Sequence, residues 1–172
     1  MKNRPVTRRT LLRYVLLTGA AAVSSRVGYS FSRQTDAELI TRAIPSTGEE
    51  LTAIGMGTWQ TFDVGNDQQA RAVRRKVLRI FAERGGKLVD SSPMYGSSEH
   101  VVGDLAAELG LLDHLFMATK VWTRGREAGI RQMENSMEKM RTEPVDLMQV
   151  HNLLDLDTHL QTLRRWKSEG KV

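Results

Sequence analysis

Asp90, Tyr95, Lys120 and His151 are the residues whose types and spacing in this chain can do chemistry together. The first two lie five residues apart in the stretch Asp90-Ser91-Ser92-Pro93-Met94-Tyr95-Gly96-Ser97-Ser98-Glu99. A phenol loses its proton only at a pH of about 10, so a tyrosine alone is a poor acid near neutrality. It serves as a proton donor when a cation lies close, because the cation stabilises the phenolate left behind. Lys120 is that cation if it faces inward, and Asp90 can hold it by a charge-assisted hydrogen bond. His151 can hydrogen-bond the oxygen that receives the proton, or relay the proton itself. The four together suit proton delivery to an oxygen that is gaining negative charge.

The elements that must position them alternate between strand and helix. Lys87-Leu88-Val89 reads as a strand and Glu99 to Leu109 as an amphipathic helix, so Asp90 and Tyr95 occupy a strand-to-helix loop. Pro93 and Gly96 fix the shape of that loop. Upstream, Leu39 to Pro45 and Glu50 to Ile54 flank a turn at Ser46-Thr47-Gly48-Glu49 and read as a hairpin. Ile54-Gly55-Met56-Gly57-Thr58-Trp59 follows, and its glycines permit a backbone or a ligand to approach closely. Asn66 or Asp67 caps a helix from Gln68 to Glu83, with Ala70, Val73, Val77, Ile80 and Phe81 on one face. Arg71, Arg74, Arg75 and Arg79 read as its solvated face rather than as a nucleic-acid patch.

Leu115 to Trp122 is nearly all apolar until Lys120, the pattern of a strand buried on both faces. The helix from Arg126 to Met140 carries Ile130, Met133, Met137 and Met140 at helical spacing, a stripe read as core packing. Val145 to His151 reads as another buried strand. Asp155 or Asp157 caps a last helix that ends near Gly170, with Leu160, Leu163 and Trp166 inside. His100, His114 and His159 read as surface residues, and no spacing of histidines and acids suggests a metal site.

The strand ends fall near residues 57, 90, 120 and 151, a spacing of one β/α unit repeated four times. Parallel strands with right-handed crossovers follow, in a doubly wound sheet or a (β/α)8 barrel. No G-x-G-x-x-G loop joins the first strand to its helix, which counts against a Rossmann domain. Thr58, Asp90, Lys120 and His151 all fall at the carboxyl ends of strands, where barrel enzymes keep their chemistry.

Composition narrows the class. The chain has 172 residues, enough for one domain with a real core, and no cysteine, so it has neither a disulfide framework nor a thiolate nucleophile. The net charge of +5 is carried by residues 1–33, which hold seven of the 25 basic residues and no acidic one. The remainder carries 18 basic and 20 acidic residues, a net of −2, so nucleic acid is not an expected partner. Residues 1–32 read as an export leader. Lys2 and Arg4 form a positive start, Tyr14 to Val23 is a modest apolar stretch, and Ala20-Ala21-Ala22 offers a cleavage site. Thr7-Arg8-Arg9-Thr10-Leu11-Leu12-Arg13 resembles a twin-arginine motif, which implies a folded cargo, the twin-arginine export machinery as a partner and a periplasmic location. The apolar stretch is too short for a stable membrane span.

Residues 38–172 resemble an aldo-keto reductase domain. The matching segments are Gly55-Met56-Gly57-Thr58-Trp59, Asp90-Ser91-Ser92-Pro93-Met94-Tyr95-Gly96, Ala118-Thr119-Lys120-Val121-Trp122 and Val150-His151, and the opening hairpin matches as well. The resemblance implies reduction of an aldehyde or ketone by NADPH, with NADH as the alternative. Tyr95 would be the proton donor, Lys120 and Asp90 would tune it, and His151 would orient the carbonyl. Gly57, Thr58 and Asp90 match positions near the nicotinamide and its ribose. Trp59, Trp122 and His151 match positions at the substrate. The expected fold is α/β, of the (β/α)8 TIM-barrel family, truncated to about four β/α units preceded by a β-hairpin.

A full barrel of this kind has eight units and about 250 residues. The expectation is therefore an amino-terminal half-barrel with exposed edges, prone to self-association and weak in NADPH binding. Two other functional classes stand beside the carbonyl reductase: a nicotinamide-binding or regulatory barrel without turnover, and an inactive fragment.

Overall fold

The computed structural model describes residues 39–172. The leader read at residues 1–32 lies outside the described residues. Two short antiparallel strands come first, β1 (Thr41–Ala43) and β2 (Glu50–Thr52), with Thr41 opposite Thr52 and Ala43 opposite Glu50. They form the expected hairpin. Its turn closes through Gly48, whose positive φ of 75° suits a residue without a Cβ, and whose N–H donates to Ile44 O at 2.8 Å.

Four parallel strands follow in sequence order: β3 (Met56–Gly57), β4 (Leu88–Asp90), β5 (Phe116–Val121) and β6 (Leu147–Val150). The connections are α1 (Gln68–Glu83), α2 (Ser98–Glu108) and α3 (Arg126–Met140), and α4 (Leu156–Ser168) follows β6. The repeated β/α unit is therefore present four times, in the order the spacing predicts. Helix α1 begins where expected. Asp67 accepts hydrogen bonds from the N–H groups of Gln69 and Ala70 at 2.9 and 3.0 Å, which occupies two donors the helix leaves unpaired.

The core lies between the sheet and the helices. Val89, Met117, Val121 and Met148 from the strands pack with Val101, Leu105, Met133, Met140, Leu163 and Trp166 from the helices. Each such side chain contributes roughly 1.5–3 kcal/mol by leaving water. The methionine stripe of α3 is core, as read. Strand β5 is buried over all its residues except Lys120, also as read. Strand β6 is not. Met148 is buried, but Leu147 is 42% exposed, because β6 is the last strand of the described sheet and its inner face has no neighbour beyond it.

Helix α1 turns differently from the pattern. Val73, Val77 and Ile80 are exposed, whereas Leu78 and Arg71 are buried. The reason lies on α2. That helix presents Asp104 and Glu108, one turn apart, to Arg71 and Arg75, also one turn apart. Arg71 donates to Asp104 Oδ2 at 2.7 Å and to Gly65 O at 3.0 Å, and Arg75 Nε donates to Glu108 Oε2 at 2.8 Å. Two of the four arginines thus join helices. Arg79 remains on the solvated face, paired at long range with Glu83 at 3.8 Å.

A second correction concerns His159. It is fully buried on α4 rather than at the surface, its Nε2–H donates to Thr123 O at 2.8 Å, and its ring fills the space over Gly129. Of the residues read as the inner face of α4, Leu163 and Trp166 are buried and Leu160 is half-buried, because His159 takes the deeper position. Among the described residues no helix is long and apolar enough to cross a membrane.

Candidate active site

Parallel pairing aligns one row of side chains. Gly57 lies opposite Asp90, Asp90 opposite Ala118, and Lys120 opposite Gln149. Alternation then puts Asp90, Lys120 and Gln149 on the same face of the sheet, away from the helices. The ammonium of Lys120 donates to Asp90 Oδ2 at 2.6 Å and to Ser91 O at 2.7 Å. The lysine side chain is 12% exposed and the aspartate 33%, so the pair is partly withdrawn from water and screened little by salt.

Tyr95 reaches this pair from the loop after β4. The loop is shaped by short hydrogen bonds. Tyr95 N–H donates to Ser92 O at 3.0 Å, and Ser98 N–H donates to Tyr95 O at 3.1 Å. Asp63 Oδ1 accepts from Ser97 N–H at 2.8 Å and from its hydroxyl at 2.7 Å. Gly96 is required between them: its φ is 60°, and a Cβ there would stand 2.3 Å from the Asp63 carboxylate. The result sets the Lys120 ammonium 5.1 Å from the centre of the Tyr95 ring.

His151 opens a short 3-10 turn, His151–Leu153, directly after β6. Its ring meets Tyr95 edge-on at 5.9 Å between centroids, and its Nδ1 lies 3.0 Å from Ser92 Oγ. Burial in the cleft holds the imidazole below the ordinary histidine range, and the charge of Lys120 adds to this while Asp90 opposes it. His151 is therefore a neutral imidazole at neutral pH. Trp59 stacks obliquely toward Tyr95 and Trp122 toward His151, each at 6.5 Å, and both are exposed at the rim.

The structure thus brings Asp90, Tyr95, Lys120 and His151 together, with Trp59 and Trp122 on either side. Gly57 is exposed, and no atom lies within 4 Å of where its Cβ would be, so a ligand could approach the backbone there. Thr58 is fully buried. Its hydroxyl lies 3.0 Å from Asp90 O and 2.9 Å from Ser91 Oγ, which ties the end of β3 to β4.

Residues that sequence reasoning passed over complete the cluster. Gln149 Nε2 donates to Asp90 Oδ1 at 2.9 Å, so both carboxylate oxygens have partners. The signal was a polar side chain in an apolar strand, two residues before His151. Ser91 and Ser92 were read only as part of the loop, yet both are fully buried and hydrogen-bonded within the site.

The structure is a partial barrel, a parallel β/α sheet with a lysine–aspartate pair, a tyrosine and a histidine gathered at the carboxyl ends of its strands. The model of the aldo/keto reductase family matches residues 53–172, and the chain belongs to that family. It is 29% identical over 148 residues to the aldo-keto reductase YhdN of Bacillus subtilis (strain 168), covering 76% of this chain and 44% of that protein. It is 35% identical over 105 residues to the methylglyoxal reductase YeaE of Escherichia coli (strain K12), covering 59% of this chain and 35% of that one. Among solved structures it resembles an aldo/keto reductase from Klebsiella pneumoniae in complex with NADP and acetate. That match has a TM-score of 0.62 and 27% identity over 72% of this chain and 44% of the other. The chain spans less than half the length of these relatives.

Proposed function

We propose that the chain carries the proton-delivering part of an NADPH-dependent reductase that converts an aldehyde or ketone to an alcohol. The observation that carries this reading is the Lys120 ammonium, held by Asp90 and set over the Tyr95 ring. Tyr95 gives its hydroxyl proton to the carbonyl oxygen as that oxygen becomes an alkoxide. Lys120 stabilises the phenolate that remains, and Asp90 with Gln149 keeps the ammonium in place. His151, neutral, orients the carbonyl by a hydrogen bond. Trp59 and Trp122 offer apolar walls for the rest of the substrate.

The donor set fits a nicotinamide nucleotide. Gly57 leaves open backbone, and the exposed third of Asp90 offers an acceptor to a ribose hydroxyl. Thr58, fully buried with its hydroxyl and its N–H committed to Asp90 and Ser91, would support the strand end beneath that group rather than touch it. When bound, the nucleotide supplies the hydride; the residues of this chain supply the proton and the orientation. The solved relative with NADP supports this choice of cofactor.

The test is oxidation of NADPH, followed by absorbance, against a panel of small aldehydes and ketones. Methylglyoxal heads the panel because the Escherichia coli relative is named for it. Tyr95→Phe should lower kcat by at least about a hundredfold, the usual worth of a positioned acid. A variant as active as the parent would sink the reading. The paired Arg8 and Arg9 and the short apolar stretch after them support export by a twin-arginine route to the periplasm. Replacing both by lysine should leave a reporter fused to residues 1–32 in the cytoplasm; unchanged export would refute that route.

A further inference from the structure

We infer that Ser92 is a positioning residue that fixes the tautomer of His151, so that the imidazole carries its proton on Nε2 and offers it outward. This inference rests on the reduction reading for its purpose, though not for its geometry. Ser92 is fully buried, on the loop that also carries Tyr95. Its Oγ has two neighbours within hydrogen-bonding distance among the described residues: His151 Nδ1 at 3.0 Å and Met94 N at 3.4 Å. The Met94 N–H can only donate, so it fills an acceptor position on the hydroxyl. Ser92 is shut off from solvent by its burial, and Nδ1 is the acceptor within reach of its hydroxyl hydrogen. A buried hydroxyl left without an acceptor is costly, so the hydrogen goes to Nδ1.

An Nδ1 that accepts cannot carry a proton in the neutral ring. The proton therefore sits on Nε2, on the far side of the imidazole from Ser92. The lowered basicity of His151, caused first by burial and then by Lys120, keeps the ring neutral and makes the tautomer the variable that matters. With Nε2–H outward, His151 is a hydrogen-bond donor to a carbonyl oxygen. In the opposite tautomer it would present a lone pair and repel that oxygen. Ser92 thus decides whether His151 attracts or rejects the group that Tyr95 is to protonate. It does so through the same loop that sets Tyr95, so the donor of the proton and the donor of the hydrogen bond are placed by one segment.

The experiment is a long-range proton–nitrogen correlation spectrum of the full chain labelled with nitrogen-15 histidine. The chain has four histidines, and His151→Gln identifies the signals of this one. The expected pattern in the parent is a protonated Nε2 and an unprotonated Nδ1. Ser92→Ala should lose that single pattern and give a mixture of the two tautomers. In steady-state reduction it should lower kcat about tenfold, the worth of one hydrogen bond, with KM for NADPH unchanged. A parent with its proton on Nδ1, or an alanine variant with the parent's pattern, overturns the inference. The parent spectrum decides even if the variant fails to fold. A parent that shows the expected nitrogens and reduces no carbonyl overturns the reduction reading instead, and leaves the assignment of the tautomer upheld.

Discussion

Gln149 holds Asp90 from the side opposite Lys120: its Nε2 donates to Oδ1 at 2.9 Å, while the ammonium occupies Oδ2 at 2.6 Å. The carboxylate is thereby fixed in its plane and cannot rotate to follow the lysine. Gln149→Leu removes the charge-assisted bond, worth about 1.5–3 kcal/mol, and frees Asp90 to turn. If the proposed function holds, a loss of about tenfold or more in kcat for carbonyl reduction is expected, with Tm lowered by several degrees. Circular dichroism melts beside steady-state assays would check both. An unchanged kcat would show that Lys120 alone positions the aspartate.

Glu99 predicts how stability responds to pH. It lies in the first turn of α2, 1% exposed, and accepts from the Thr119 hydroxyl at 2.6 Å. Burial pushes its carboxyl above the ordinary value of 4.5, against the opposing hydrogen bond of Thr119 and the charges of Lys139 and Lys120. The folded chain therefore keeps this proton to higher pH than the unfolded chain does. Its contribution to stability is full below the ordinary glutamate range and is lost as pH rises through the raised value. Glu99→Gln removes that titration. The variant should gain little over the parent at pH near 4 and become the more stable of the two toward neutrality, each kcal/mol of gain raising Tm by about 2–4 °C. Thermal melts across that range test the sign; a variant less stable at neutral pH would refute it.

Gly103 governs the contact between α2 and α3. A Cβ at this position would stand 2.1 Å from Lys139 O and 2.8 Å from Met140 Cα. These are backbone atoms, so no side-chain rotation relieves the clash and the helices must separate. Gly103→Ala should destabilise by about 1–3 kcal/mol, despite the better helix propensity of alanine. Urea unfolding would register the loss, and a stabilised variant would mean that the helices slide apart freely.

Much of this was written in the sequence where local pattern decides the outcome. The bounds of α1 and α3, the Asp67 cap and the methionine stripe follow from period and from capping chemistry, which neighbours in sequence set. The meeting of Asp90, Tyr95, Lys120 and His151 was legible because strand ends of a parallel sheet converge. The rotation of α1 was not. Arg71 is buried by Asp104, 33 residues away, and no local pattern carries that pairing. His159 was hidden for a like reason, since its partner is the backbone carbonyl of Thr123, which has no residue type to read. Gln149 and Ser92 were visible as polar residues, but their tasks depend on distances that only the assembled sheet supplies.

The pairing of Lys120 with Gln149 and of Asp90 with Ala118 has a consequence for folding itself. If β5 slipped by one residue, Thr119 would leave its bond to the buried Glu99 and face the open side of the sheet, and the ammonium of Lys120 would leave Asp90 for the layer between sheet and helices. That exchange breaks two polar contacts at once, the Thr119–Glu99 bond and the Lys120–Asp90 pair, and is unfavourable. Lys120 is thus a marker of alignment: a chain that folds with β5 out of step loses both contacts. One side chain therefore ties the candidate site together and fixes the register of the strand that carries it.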